Sequence, residues 1–374
     1  MIYLDNAATT LPDPAVTAVV AEVLATLPGN PSSLHALGRE ANRRLAEYRA
    51  IILNALGKTG TLTFTSGGTE SNHWALNGAL HLMRHRGRHI VATAIEHDAV
   101  LAPLKALGEA GYEVTLLTPD RFGQVSLECL DAALRPDTAL VSVMLVNNET
   151  GAVLPVQKMA ALTHANSSAL FHTDAVQGFG KVPCRADELG VDLLSLSAHK
   201  LHGPKGVGAL WVADSLTLPP LFRGGGQEGG LRSGTEPLHN IAGFAKAVEL
   251  AMARLDETTG HLDTLQRHLR EYLPKAVPTV RFLPQGAPHI VSLSLSGYKS
   301  EVVMNFLDSQ GIAVSHASAC KRGGRSHVLA AMGLPNDVID GTLRVSFSKN
   351  TTVAELDCLI AALKEATATL FPVL

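Results

Sequence analysis

Val191-Asp192-Leu193-Leu194-Ser195-Leu196-Ser197-Ala198-His199-Lys200 runs as a short apolar strand into Ser-x-His-Lys, and the chain then breaks at Gly203-Pro204 and Gly206. An amine at a strand end, beside a hydroxyl and an imidazole, suits a lysine that forms a Schiff base with a carbonyl cofactor. A lysine in a glycine-containing loop is more often simply solvated, so the reading needs support from other segments. Upstream, Phe171-His172-Thr173-Asp174-Ala175-Val176-Gln177 is another apolar run that ends in an acid. A carboxylate in that position matches the need of pyridoxal phosphate chemistry for an anion against the pyridine nitrogen, so that the protonated ring can act as an electron sink.

A phosphate would then sit at a helix N-terminus that follows a strand. Thr61 to Thr65 is β-rich, Ser66-Gly67-Gly68-Thr69-Glu70-Ser71-Asn72 follows, and Trp74 to Leu80 continues with helix-compatible residues. Glycines let the backbone come close, and the free N–H groups and dipole of a first helical turn favour an anion. No G-x-G-x-x-G opens a βαβ unit here, and no Gly-Lys-Ser/Thr follows the glycines, so the dinucleotide and P-loop readings fail. Taken alone, the segment reads equally well as a plain capped helix.

Leu37, Ala41, Leu45, Tyr48, Ile52 and Leu56 recur at three- and four-residue spacing and predict an amphipathic helix from about Ala36 to Leu56. Strand-like runs follow at 89–94, 113–117, 139–145, 169–172, 193–196 and 207–212, with helical stretches such as 101–110 and 127–134 between them. That alternation predicts a largely parallel sheet covered on both faces, with ligands beyond the C-terminal strand ends, where Asp174, His199 and Lys200 fall. Near residue 250 the pattern changes. One long polar helix over about 238–272 leads to a proline-rich stretch. An alternating strand at 290–295, a helix at 301–310, a strand at 343–347 and a C-terminal helix from about 353 come next. These predict a smaller α+β unit with a mostly antiparallel sheet and exposed polar positions. The glycine cluster at 223–230 reads as a loop.

The 374 residues are 46% hydrophobic, ample for a large core, and the net charge of −3 gives no nucleic-acid footprint. No basic, apolar leader and no membrane-length run is present, and four dispersed cysteines lack any C-x-x-C pair. The expectation is a cytoplasmic protein without disulfides, metal, membrane contact or direct nucleic-acid contact. The sixteen histidines show no metal-binding spacing.

Together these segments resemble the cysteine desulfurases, pyridoxal phosphate enzymes of the class V aminotransferase group. The likeness runs from Tyr3-Leu4-Asp5-Asn6-Ala7-Ala8-Thr9-Thr10 to Arg344-Val345-Ser346-Phe347. It includes Gly29-Asn30-Pro31-Ser32-Ser33, the segment Thr65 to Asn72, Val146-Asn147-Asn148-Glu149-Thr150-Gly151, and His172 to Gln177. It continues through Ser197 to Lys200, Arg232-Ser233-Gly234-Thr235 and Ala317-Ser318-Ala319-Cys320. The resemblance implies an α/β transferase of fold type I: a large domain over 12–250 with a mainly parallel, seven-stranded sheet, and a small α+β domain from 1–11 and 251–374. It also implies roles. Lys200 would hold pyridoxal 5′-phosphate and move protons at the substrate carbons, Asp174 would pair with the ring nitrogen, and Gln177 would bond the ring hydroxyl. His97, in Glu96-His97-Asp98-Ala99-Val100, would stack on the ring; outside this context it reads as a loop imidazole. Gly68, Thr69, Ser197 and His199 would bind the phosphate, and Thr235 would reach the phosphate of a partner in a homodimer. Asn148 and Arg344 would hold the substrate carboxylate, with Arg344 suited to bidentate pairing. Outside this context, an arginine on a strand is more often half of a structural ion pair.

Cys320 decides the implied reaction. It precedes Lys321-Arg322-Gly323-Gly324-Arg325-Ser326-His327, whose cations favour a thiolate, whereas Cys129, Cys184 and Cys358 read as small hydrophobes. The thiolate would take sulfur from L-cysteine, leaving alanine, and pass it from a persulfide to a protein acceptor. The segment after Cys320 is shorter and more basic than in many iron–sulfur-cluster-type relatives, so cluster assembly, tRNA thiolation and cofactor sulfuration all stay open. The alternatives are a selenocysteine lyase, another β-lyase or an aminotransferase with this cofactor, and a non-catalytic sulfur-transfer scaffold.

Overall fold

The computed structural model describes residues 1–316 and 325–373. A two-residue strand, β1 (Ile2–Tyr3), leads into α1 (Pro14–Thr26) and α2 (Ala36–Ala55). Strands and helices then alternate: β2 (Thr61–Thr65), α3 (Gly68–Met83), β3 (His89–Thr93), α4 (Asp98–Glu109), β4 (Glu113–Leu117) and α5 (Leu127–Ala133). The series continues with β5 (Thr138–Ser142), α6 (Val156–Asn166), β6 (Leu170–Asp174), α7 (Ala186–Leu189), β7 (Leu193–Ser197) and β8 (Gly208–Val212). The seven strands β2 to β8 form one sheet in the order β2-β8-β7-β6-β5-β3-β4. The pairs from β7 through β4 are parallel, and β8 runs antiparallel to both β7 and β2.

Every residue of β3, β5, β7 and β8 is buried, as expected for strands sandwiched between helical layers. Successive residues point to opposite faces. Val141, Leu194 and Leu196 join one core with Leu45, Tyr48 and Ile52 of α2, while Leu140, Leu193 and Leu210 join another with Trp74, Leu76 and Leu80 of α3. The predicted sheet and its covered faces are therefore present.

The single helix expected over 238–272 is two helices, α8 (Leu238–Ala253) and α9 (Leu255–Ala276), broken at Arg254, whose backbone is non-helical (φ −130°, ψ 23°). The break has a packing reason. α8 buries Ile241, Phe244, Ala245 and Val248 in the large-sheet core, whereas α9 buries Leu262, Leu265, Leu269 and Leu273 in a separate core. That second core lies against β9 (Val280–Phe282), β10 (Ile290–Leu295), α10 (Ser300–Ser309), β11 (Ile312–Ala313) and β12 (Ser315–His316). The short helices α11 (His327–Ala331) and α12 (Asn336–Asp340) follow and pack Val328, Leu329 and Ile339 into the large-sheet core instead. β13 (Thr342–Ser346) and α13 (Val353–Thr369), which opens on a Thr352–Glu355 capping box, return to the second core. Strands β12-β13-β10-β9 form an antiparallel sheet, and β11 pairs in parallel with β1. The alternating polar positions of β10 are not exposed, in contrast to the expectation. Ser292 and Ser294 are buried, and their hydroxyls donate to the carbonyls of Glu149 and Val338 at 2.5 and 2.9 Å.

Candidate active site

β6 and β7 are parallel neighbours, so their C-terminal ends emerge side by side, carrying Asp174 and Ser197. A single tight turn, Ala198–Lys200, continues β7. α3 begins beside them with Gly68 and Thr69, where the first N–H groups lack helical partners. These ends face a cavity of about 380 Å³. Gly68, Thr69, Asn72, Ser197 and His199 line it, with Asp174, Val176, Gln177 and Lys200. So do His97, Ala99, Met144, Val146, Asn148, Arg344 and the N-terminal residues Ala7 and Ala8. Every site residue anticipated from the sequence that lies among the described residues is therefore in this cavity, except Thr235. Thr235 is exposed and lies outside it, on the loop before α8. Cys320, with Lys321 and Arg322, lies outside the described residues.

Asp174 is 6% exposed, and both its carboxylate oxygens are held: Oδ2 accepts from Asn72 Nδ2 at 2.7 Å and Oδ1 from the Val176 N–H at 2.9 Å. The bonds fix its orientation. Lys200 Nζ donates to the carbonyls of Ala7 and Ala8 at 2.6 and 2.8 Å. Gln177 Nε2 donates to the same Ala7 carbonyl at 2.8 Å, and His199 Nδ1 pairs with the Thr9 hydroxyl at 3.1 Å. Burial, with the charges of Lys200, Lys181 and Lys205, pulls the His199 pKa down to about 4, so its imidazole is neutral at pH 7. His97 caps α4 by accepting from the Ala99 N–H at 3.0 Å, and burial lowers its pKa against the raising influence of Asp174. The preceding residue, Glu96, is fully buried. Its Oε1 accepts from Thr93 Oγ1 at 2.6 Å and from the Met144 N–H at 2.8 Å, and burial lifts its pKa to about 8.

On the wall of the same cavity, Arg344 Nη1 donates to the Asn148 carbonyl at 2.8 Å and Nη2 to Asp5 Oδ1 at 2.9 Å. Arg344 thus forms an ion pair and lines the cavity at once. Sequence reasoning missed Asp5 and Asn72. Asn72 falls one helical turn after Gly68 and Thr69, on the same face of α3, and that spacing was the signal available for it. Asp5 had none, because only the tertiary fold brings it to Arg344.

The residues present fit pyridoxal phosphate on three counts. An oriented carboxylate and a lysine amine face one cavity. A Cβ built on Gly68 would meet Val176 Cγ2 at 2.7 Å, so the first turn of α3 is kept open by glycine. Buried Asn72 Oδ1 and Arg344 Nε have no hydrogen-bond partner among the described residues, leaving polar capacity around the cavity.

The aminotransferase class-V family model matches residues 2–359. A cysteine desulfurase IscS of Dictyoglomus turgidum is 39% identical over 97% of this chain and 93% of its own length. A solved NifS-like protein superposes with a TM-score of 0.93 at 36% identity, covering 99% of this chain and all of the other. A structure described as SspA in complex with cysteine has a TM-score of 0.81 at 32% identity, over 94% of this chain and all of its own. By architecture, by site and by these likenesses, the chain belongs to the cysteine desulfurase group of the aminotransferase class-V family.

Proposed function

We propose that this protein is a pyridoxal phosphate-dependent cysteine desulfurase, converting L-cysteine to L-alanine and handing the sulfur to Cys320. The observation that carries the reading is the meeting of Lys200, the Asn72-oriented Asp174 and Arg344 on one cavity. Bound there, the cofactor supplies an electron sink that permits carbanion chemistry and weakens the substrate Cβ–S bond. Lys200 would hold it covalently and would carry protons to and from the substrate Cα and Cβ. Asp174 would keep the ring nitrogen protonated, and His97 and Gln177 would help to hold the ring. Gly68, Thr69, Ser197 and neutral His199 bind the phosphate at the helix start. Asn148 and Arg344 seat the substrate carboxylate.

In the sulfur step, the Cys320 thiolate attacks the substrate sulfur. An S–S bond forms as the Cβ–S bond breaks, the bonding pair goes to carbon, and a proton delivered there completes alanine. The persulfide then passes its outer sulfur to a protein acceptor thiol. Two copies form the working unit, with Thr235 of one contacting the phosphate of the other, and the protein works in the cytoplasm; among the described residues no helix is long and apolar enough to cross a membrane.

The test is product analysis. With cofactor, L-cysteine and a thiol reductant, alanine and sulfide should appear in equal amounts. Cys320→Ser should keep the spectral response to L-cysteine but release almost no alanine. Keto-acid production with no need for Cys320 would instead identify an aminotransferase, and turnover confined to selenocysteine would identify a selenocysteine lyase.

A further inference from the structure

The segment Asp5–Ala8 bonds to two residues of the cavity wall, Lys200 and Arg344. Its carbonyls at Ala7 and Ala8 hold the Lys200 amine, and its Asp5 carboxylate holds the Arg344 guanidinium. The segment is stitched to β13 two residues beyond Arg344. Asn6 Nδ2 donates to the Ser346 carbonyl at 2.9 Å, the Ala7 N–H donates to Ser346 Oγ at 2.8 Å, and Asp5 forms a parallel bridge with Ser346. Asp5 therefore cannot drift relative to Arg344. It does not itself line the cavity, whereas Arg344 does. A guanidinium has five N–H groups in a rigid fork. Asp5 and the Asn148 carbonyl each take one, and the buried Nε has no partner among the described residues.

We propose that Asp5 is a positioning residue for the substrate carboxylate. It clamps Arg344 from outside the cavity and leaves the remaining N–H groups for an incoming carboxylate. Through the segment they share, it also sets the spacing between that anchor and Lys200. This rests on the desulfurase reading, which assigns the substrate carboxylate to Arg344. Asp5 has two opposing effects on an anionic ligand: orientation of the guanidinium favours binding, and repulsion by its own charge opposes it. The side chains of Arg344 and Asp5 are 4% and 20% exposed, so the clamp is a shielded, charge-assisted contact. Orientation wins because the contact fixes the fork directly, while the repulsion acts from outside the cavity.

The experiment compares holoenzymes carrying Asp5→Ala, Asp5→Asn and Arg344→Lys. KM, kcat and the spectroscopic dissociation constant are measured for L-cysteine, and binding alone for cysteamine, which lacks the carboxylate. Asp5→Ala should weaken L-cysteine binding and raise KM on the order of tenfold, with kcat and the visible cofactor band nearly unchanged and cysteamine binding unaffected. Asp5→Asn keeps an acceptor oxygen without the charge and should fall between. It carries the test if the alanine variant does not fold. An unchanged or lower KM, or equal weakening for cysteamine, overturns the proposal. If the wild type releases no alanine, the desulfurase reading falls and takes this inference with it. If the wild type is active and Arg344→Lys raises KM while Asp5→Ala does not, only the inference falls.

Discussion

At one end of the cavity Asp174, Lys200 and Thr69 hang from strand-to-helix junctions of a single sheet. At the other, Arg344 is held by Asn148 and Asp5, which lie 196 and 339 positions away in the chain. The first end is a product of topology that local sequence already specifies, because parallel strands with crossover helices deliver their C-terminal ends together. The second depends on an N-terminal segment crossing to a strand near the C-terminus and on a turn between β5 and α6. On the proposed function, the difference separates what the protein needs for its cofactor from what it needs for its substrate, and it predicts that substitutions at the two ends fail in different ways.

The largest effect belongs to the first end. Lys200→Ala should lose the pH-sensitive visible band and cut turnover roughly 10³-fold or more, since in the proposed function one amine serves as covalent anchor and proton carrier. Stopped-flow spectra and alanine assays read both losses. At the second end, Arg344→Lys should leave that band intact and raise KM for L-cysteine by about 10- to 100-fold, because a lysine cannot reproduce the planar fork. A loss of cofactor in the arginine variant would erase the distinction between the ends. Asn72→Ala removes one of the two bonds that orient Asp174, and should lower kcat/KM about tenfold with a shifted cofactor band and KM little changed.

The effect expected to touch turnover least is on stability. Glu96 moves from an ordinary pKa of 4.5 to about 8, so between those values the folded state holds a proton that the unfolded state has released. Stability therefore falls as pH rises through that window. Glu96→Gln mimics the neutral acid and removes this dependence. Relative to the parent it should gain on the order of 1 kcal/mol per pH unit across the window, read from denaturant midpoints at pH 5 and pH 8.

The cofactor end was legible because each of its residues sits in a short run with its own signal: an apolar strand, then a polar side chain or glycines at the turn. The covered sheet was legible for the same reason, since burial on both faces writes continuous apolar runs such as β5 and β7. The break at Arg254 was not, because nothing in the periodicity of residues 238–272 records that two different cores claim its halves. Nor was the burial of Ser292 and Ser294, whose partners are backbone carbonyls and leave no mark in composition. Asp5 illustrates the same limit at the site: its partner is chosen by tertiary structure alone.

Borohydride reduction of the holoenzyme followed by peptide mapping tests the account most directly, because the proposed cofactor chemistry depends on one amine. The pyridoxyl group is expected on Lys200, in near-stoichiometric yield. A label on Lys205 or Lys181, or no stable label at all, would contradict the assignment of the cavity and the chemistry argued from it.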